Sequence, residues 1–229
     1  SGGSSSSGGS SSSGGSSSSG GSTGSGGSSS SGGSTGSGGS TGSGGSTGSC
    51  TAVSAALITD FAGSGGQVGA PYTGADTGLT APKTTIADGA LTIDIDTGAA
   101  TTDYPWAFAA MAFNGCVDAS MYQGVTFNVS GMLSEGCTIQ FSTVDKEHNL
   151  VKDMGTCTAT ACYPSSKIFT LASDAADVTI NFADQTGGGA DPSAAVVDPK
   201  QIMAVQWQVN VPKAGMCKGQ VKLKKITFK

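Results

Sequence analysis

A two-residue alternation of apolar and polar side chains recurs through the later part of the chain and limits the fold more than any other feature. Leu91, Ile93 and Ile95 alternate with Thr92, Asp94 and Asp96. Val125, Phe127 and Val129 alternate with Thr126, Asn128 and Ser130, and Ile139 and Phe141 with Thr138, Gln140 and Ser142. Successive side chains of a strand point to opposite faces, so this pattern belongs to strands with one buried face. Residues 167–171, 178–182, 203–209 and 220–228 continue the series, and Gly, Asp, Asn, Ser and Pro clusters separate the runs. The run 106–113 (WAFAAMAF) is apolar throughout. Its aromatics at 106, 108 and 113 fit neither period well, and we assign it to a strand. Eight or more short strands joined by turns predict an all-β, antiparallel β-sandwich of jelly-roll type.

The first 49 residues cannot share in that core. Residues 2–49 read as eight six-residue units, each GGSSSS or GGSTGS, without one apolar or charged side chain. Such a segment cannot bury enough surface to offset the entropy of ordering it. We therefore expect a disordered linker over 1–49, with a root-mean-square reach of about 35–40 Å. One globular domain over 50–229 follows it, large enough for a sizeable core.

Charge narrows the partners. The net charge is −5, all 11 basic residues are lysine, and arginine is absent. Proteins that grip phosphates rely on arginine forks and basic surfaces, so a nucleic-acid partner is not expected. Lys222, Lys224 and Lys225 read as the solvated face of a strand. No run approaches the roughly 20 apolar residues that span a bilayer, so no membrane span is expected. Six cysteines, Cys50, Cys116, Cys137, Cys157, Cys162 and Cys217, all lie in the globular part without a C-x-x-C pair. That usage points to disulfides and an extracellular location. Cys157 and Cys162 are near enough in sequence to staple one loop, whereas six cysteines permit 15 connectivities overall.

Several segments, in order, resemble the galactose-binding-like jelly rolls that serve as carbohydrate-binding modules in secreted bacterial polysaccharide-degrading systems, those of myxobacteria among them. They are LITDF at 57–61, DASMYQGVTFNVSG at 118–131, IMAVQWQV at 202–209 and LKKITF at 223–228. The resemblance implies the sandwich fold, a polysaccharide partner and a structural role for Tyr122. It also implies a structural calcium with Asp60 among its ligands. Relatives commonly carry acidic residues where this chain has Lys224 and Lys225, and an ammonium in place of a carboxylate weakens a calcium site.

No reactive constellation stands out. The two glutamates, Glu135 and Glu147, sit in polar loop segments, and Asp94 and Asp96 share one strand face, about 7 Å apart along the backbone. The sole histidine, His148, lies in DKEHNLVKD, which reads as an exposed loop without the buried acid that a Ser-His-Asp system needs. We expect no catalytic residues.

Sugars are held by aromatic rings stacked on their apolar faces and by amides, hydroxyls or carboxylates bonded to their hydroxyls. In 203–209, Val205, Trp207 and Val209 share one face, while Gln206, Gln208 and Asn210 share the other. Asn128 and Gln140 occupy the polar faces of their strands. If these strands neighbour one another, the amides converge on one platform; otherwise they are parts of an ordinary wet sheet face. Trp106 and Tyr104, beside Pro105, are stacking candidates at a loop rim, as is Tyr72 in the Gly/Pro-rich segment GAPYTG. The leading expectation is a secreted, non-catalytic, monomeric module that adsorbs to a polysaccharide and is tethered through the flexible linker. The alternative is a structural or adhesive surface protein whose repeats form a stalk.

Overall fold

The computed structural model describes residues 49–63, 66–148, 155–156, 163–187 and 197–229. The expected linker, apart from Ser49, and the expected pairing of Cys157 with Cys162 lie outside the described residues. Twelve strands are present among them. In chain order they are Thr51–Ala52 (β1), Leu57–Thr59 (β2), Val68–Ala75 (β3), Lys83–Ala87 (β4), Ala90–Asp96 (β5), Trp106–Asp118 (β6), Gly124–Leu133 (β7), Thr138–Asp145 (β8), Ser166–Phe169 (β9), Ala176–Asn181 (β10), Ile202–Asn210 (β11) and Lys218–Phe228 (β12). A single 3-10 turn, Phe182–Asp184, follows β10.

The strands form two sheets. In the first, β6 is flanked on one side by β3 and β1, and on the other by β11, β8 and β9 in turn. In the second the order is β10, β7, β12, β5, β4, with β2 pairing the far end of β12. Every pairing is antiparallel except that of β1 with β6. This is the sandwich predicted from the alternation.

The apolar half of each alternating strand closes the space between the sheets. Val205, Trp207, Val209, Ile139 and Phe141 from the first sheet meet Val125, Phe127, Val129, Val221 and Leu223 from the second. Trp207 stands edge-on to Phe127 at 5.5 Å and to Phe141 at 5.5 Å, so its indole bridges the two layers. Tyr122 stacks on Phe228 at 5.2 Å where the chain turns from β6 into β7. Two disulfides among the described residues brace the body. Cys50–Cys116 ties the chain ahead of β1 to the far part of β6, and Cys137–Cys217 ties the start of β8 to the approach to β12. They close segments of 66 and 80 residues, which in a chain-entropy account stabilises by roughly 4 kcal/mol each.

Two features depart from the sequence expectation. Tyr72 does not lie in a loop: it stands within β3, paired with Ala110 of β6. The segment VGAPYTGA carries a proline and no alternation, yet β3 is an edge strand with a register shift between Val68 and Pro71, where a missing N–H is tolerated. In β6, Met111 and Phe113 belong to the core, whereas Trp106 and Phe108 point the other way. Its aromatics fit no single-face pattern because they serve both faces of one strand.

Candidate functional site

The outer face of the first sheet is fixed by what the inner face buries. Because Trp207 must enter the core, Gln206, Gln208 and Asn210 on β11 face outward. Register then places their neighbours. Gln206 lies between Ala110 of β6 and Ser142 of β8, Gln208 between Phe108 and Gln140, and Asn210 between Trp106 and Thr138. Beyond β6, Tyr72 stands beside Ala110 and Gly74 beside Phe108; beyond β8, Ile168 stands beside Gln140. Strands about 4.8 Å apart thus bring an aromatic group and an amide group into adjoining columns.

The amides bond to one another head to tail. Gln206 Nε2 donates to Gln208 Oε1 at 3.4 Å, Gln208 Nε2 to Asn210 Oδ1 at 2.9 Å, and Asn210 Nδ2 to Gln140 Oε1 at 3.1 Å. Asn210 also approaches Thr138 Oγ1 at 3.4 Å. An amide has two donors and two acceptor lone pairs. The ladder therefore fixes each side chain while leaving hydrogen-bonding capacity for a ligand. Gln206 is only 8% exposed, an unusual depth for glutamine, and the neighbouring Ser142 Oγ is buried without a partner. The floor of the face thus buries part of its polar lining.

Three rings stand next to the ladder. Trp106 stacks on Phe108 with centroids 5.7 Å apart, and Phe108 meets Tyr72 edge-on at 5.9 Å. Gly74 makes this arrangement feasible: a Cβ there would lie 2.6 Å from Phe108 Cε1, so the ring occupies the space a side chain would need. All three rings are half-buried. Burial pushes the Tyr72 phenol above its ordinary pKa, which keeps it neutral and able to donate a hydrogen bond. Phe108 was not singled out from sequence because it sits in a wholly apolar run; the one signal was its two-residue offset from Trp106. Tyr104 lies two residues before β6 and is 90% exposed, at the end of the strand beyond Trp106.

The expected platform loses one member. Asn128 belongs to β7, which pairs with β10 and β12 of the second sheet, so it faces the opposite side of the sandwich from Gln208. There its amide donates to Asp177 Oδ1 at 2.8 Å. Gln206, Gln208, Gln140, Trp106 and Tyr72 are brought together; Asn128 is not.

The Asp60 carboxylate turns back on its own chain and accepts the Ala62 N–H at 2.9 Å. Among the described residues no three His, Cys, Asp or Glu side chains gather at a point suitable for a metal ion. With lysine at 224 and 225, this donor set does not fit calcium, a hard cation that takes six to eight oxygens.

His148 is better ordered than its loop-like sequence indicated. Its Nδ1 lies 2.7 Å from Oδ1 of Asp145, a buried carboxylate whose other oxygen accepts the Asp198 N–H at 3.2 Å. The buried acid expected to be lacking is therefore there, three residues earlier at the end of β8. Among the described residues no hydroxyl or thiol bonds the imidazole, so the pair orients a loop base and forms no nucleophilic relay with a described residue. Asp94 and Asp96 are exposed on the second sheet, engaged with Gln220 at 2.7 Å and Lys218 at 3.4 Å.

No protein-family model matches the sequence, and no curated protein matches it either. Solved structures do share its fold. The family 11 carbohydrate-binding module from Clostridium thermocellum, in complex with a β-1,3-1,4-mixed-linked tetrasaccharide, has a TM-score of 0.50 at 13% identity, covering 75% of this chain and 94% of that one. A second structure of a family 11 module from the same organism gives 0.49 at 12% identity, covering 77% and 95%. A family 30 carbohydrate-binding module gives 0.45 at 15% identity, covering 70% and 95%. At these identities the likeness is one of fold: this chain shares the sandwich architecture of the family 11 module that carries the tetrasaccharide.

Proposed function

We propose that the outer face of the first sheet binds a polysaccharide, and that residues 50–229 act as a secreted, monomeric, non-catalytic carbohydrate-binding module. One observation carries the reading: a head-to-tail ladder of four amides lies directly beside three clustered rings on a single sheet face. The fold shared with a module whose structure holds a β-1,3-1,4-mixed-linked tetrasaccharide supports it. A saccharide chain presents apolar C–H faces and hydroxyl edges. Laid along β6 and β11, it would set its faces against Trp106 and Phe108 and its hydroxyls against Gln206, Gln208, Asn210 and Gln140. Because the ladder fixes the amides in advance, little side-chain entropy is lost on binding. Residues 1–49 serve in this reading as the tether, raising the local concentration of whatever they join near the adsorbed polymer.

The test is retention of the full chain on insoluble cellulose, xylan and mannan, with affinity electrophoresis in soluble β-glucan and galactomannan. Retention by at least one polymer, lost in a Trp106→Ala, Gln208→Ala double variant that keeps the wild-type circular dichroism, is the expected result. Equal retention of the double variant would sink the assignment of this face.

A further inference from the structure

We infer that this face selects uncharged polysaccharides and rejects polyuronates and sulfated glycans, an inference that rests on the carbohydrate-binding reading above. Among the described residues, no charged side chain shares the outward rows of β3, β6, β11 and β8 that hold the rings and the ladder. The ionic groups bordering those rows include Lys167 of β9, which the register sets opposite the inward-facing Phe141 rather than in the row of Gln140. Asp76, just past β3, accepts the Thr77 N–H at 2.7 Å and the Thr102 hydroxyl, and Lys213 is paired with Asp103 at 2.6 Å in the loops beyond Trp106. Lys222 and Lys224 belong to β12 of the opposite sheet.

Three physical effects then act against an anion. A carboxylate or sulfate needs a cation or several free N–H donors to replace its water, and Gln206 and Gln208 have each given one N–H within the ladder while Asn210 gives to both Gln140 and Thr138. The faces of Trp106, Phe108 and Tyr72 carry negative quadrupole potential and repel anions. The chain's net charge of −5 adds a longer-range repulsion that salt screens. A neutral sugar meets none of these costs. Its hydroxyls both donate and accept, which suits amides that keep unused N–H groups and lone pairs.

The experiment compares matched polymers on the full chain. Mixed-linkage β-glucan and galactomannan are each used untreated, after oxidation of their primary alcohols to carboxylates, and after methyl esterification of those carboxylates. The expected result is binding to at least one untreated polymer and at least about tenfold weaker binding to its oxidised form, persisting at high salt. The uncharged ester should restore most of the affinity. An Ile168→Lys substitution, at an exposed site in the row of Gln208 and Gln140, should recover the oxidised polymer without altering the fold. Equal or tighter binding of the oxidised form, or an ester rejected as strongly as the acid, overturns the inference and leaves the carbohydrate-binding reading standing. If neither untreated polymer binds and an oxidised one does, the inference is overturned in the same way. If no polymer binds in any form, the binding reading itself fails and takes the inference with it.

Discussion

The two outer faces of the sandwich are built from the same alternating strands and carry opposite chemistry. On the second sheet, Lys218 pairs with Asp96, Gln220 with Asp94, Asn128 with Asp177 and Thr126 with Thr179, each within 3.4 Å. Charges of both signs neutralise one another across neighbouring strands, and the surface is an ordinary solvated one. On the first sheet the outward positions hold amides, small hydroxyls and three rings, with Gln206 and Ser142 buried. A sandwich needs no such face to fold, because the charged mosaic opposite does that work equally well. Half-buried rings and the unpartnered Ser142 Oγ on the outside of a sheet are a cost to the isolated domain, one that the proposed glycan would offset at the rings.

That contrast can be broken most forcefully at the rings. Replacing both Trp106 and Phe108 by alanine should lower affinity for a retained glycan by about a hundredfold or more, as expected for a central anchor, measured by affinity electrophoresis. Comparable affinity in the double variant would mean the rings only cap the core. Next comes Gly74→Ala, which touches no ligand directly. Its methyl would displace the Phe108 ring, so affinity should fall about tenfold in calorimetric titration, with the folded state retained. Gln208→Ala opens a gap in the ladder and should cost about 1 kcal/mol of binding, or roughly fivefold.

A smaller effect is expected at Tyr72. Its phenol pKa is raised by burial, so the neutral form is favoured in the folded protein. The associated stability is full below the unfolded value of 10.0 and is lost as pH rises through the folded value. A Tyr72→Phe variant should therefore lose less stability than wild type above about pH 10, read by thermal melts across alkaline pH. Smallest of all, Lys222→Ala and Asp177→Ala on the second sheet should leave glycan affinity within about twofold. A large loss from either would move the binding surface to the wrong side of the sandwich.

Face membership was legible in the sequence wherever one face was apolar and the other polar. The inward placement of Val205, Trp207 and Val209 and the outward placement of Gln206, Gln208 and Asn210 follow from alternation alone. Which strands stand side by side does not follow, because pairing is settled by contacts far apart in sequence. Gln140 reaches Asn210 across 70 residues, and Asn128, equally polar and equally alternating, lies on the other sheet. The ring cluster was harder still. Tyr72 sits in a strand whose proline and glycines read as loop, and Phe108 lies in a run where both faces are apolar. Gly74 shows why that strand looks the way it does: its missing side chain is the seat of the Phe108 ring.

The amide ladder also has a sense. Gln206 and Gln208 each give a hydrogen toward the Asn210 end of β11, and Asn210 turns across to Gln140 of β8, so reversing the row would set unlike hydrogen-bonding patterns against the same guest. A glycan likewise has two distinct ends, one reducing and one not. Under the proposed binding reading, the asymmetric row distinguishes one polarity of such a polymer from the other.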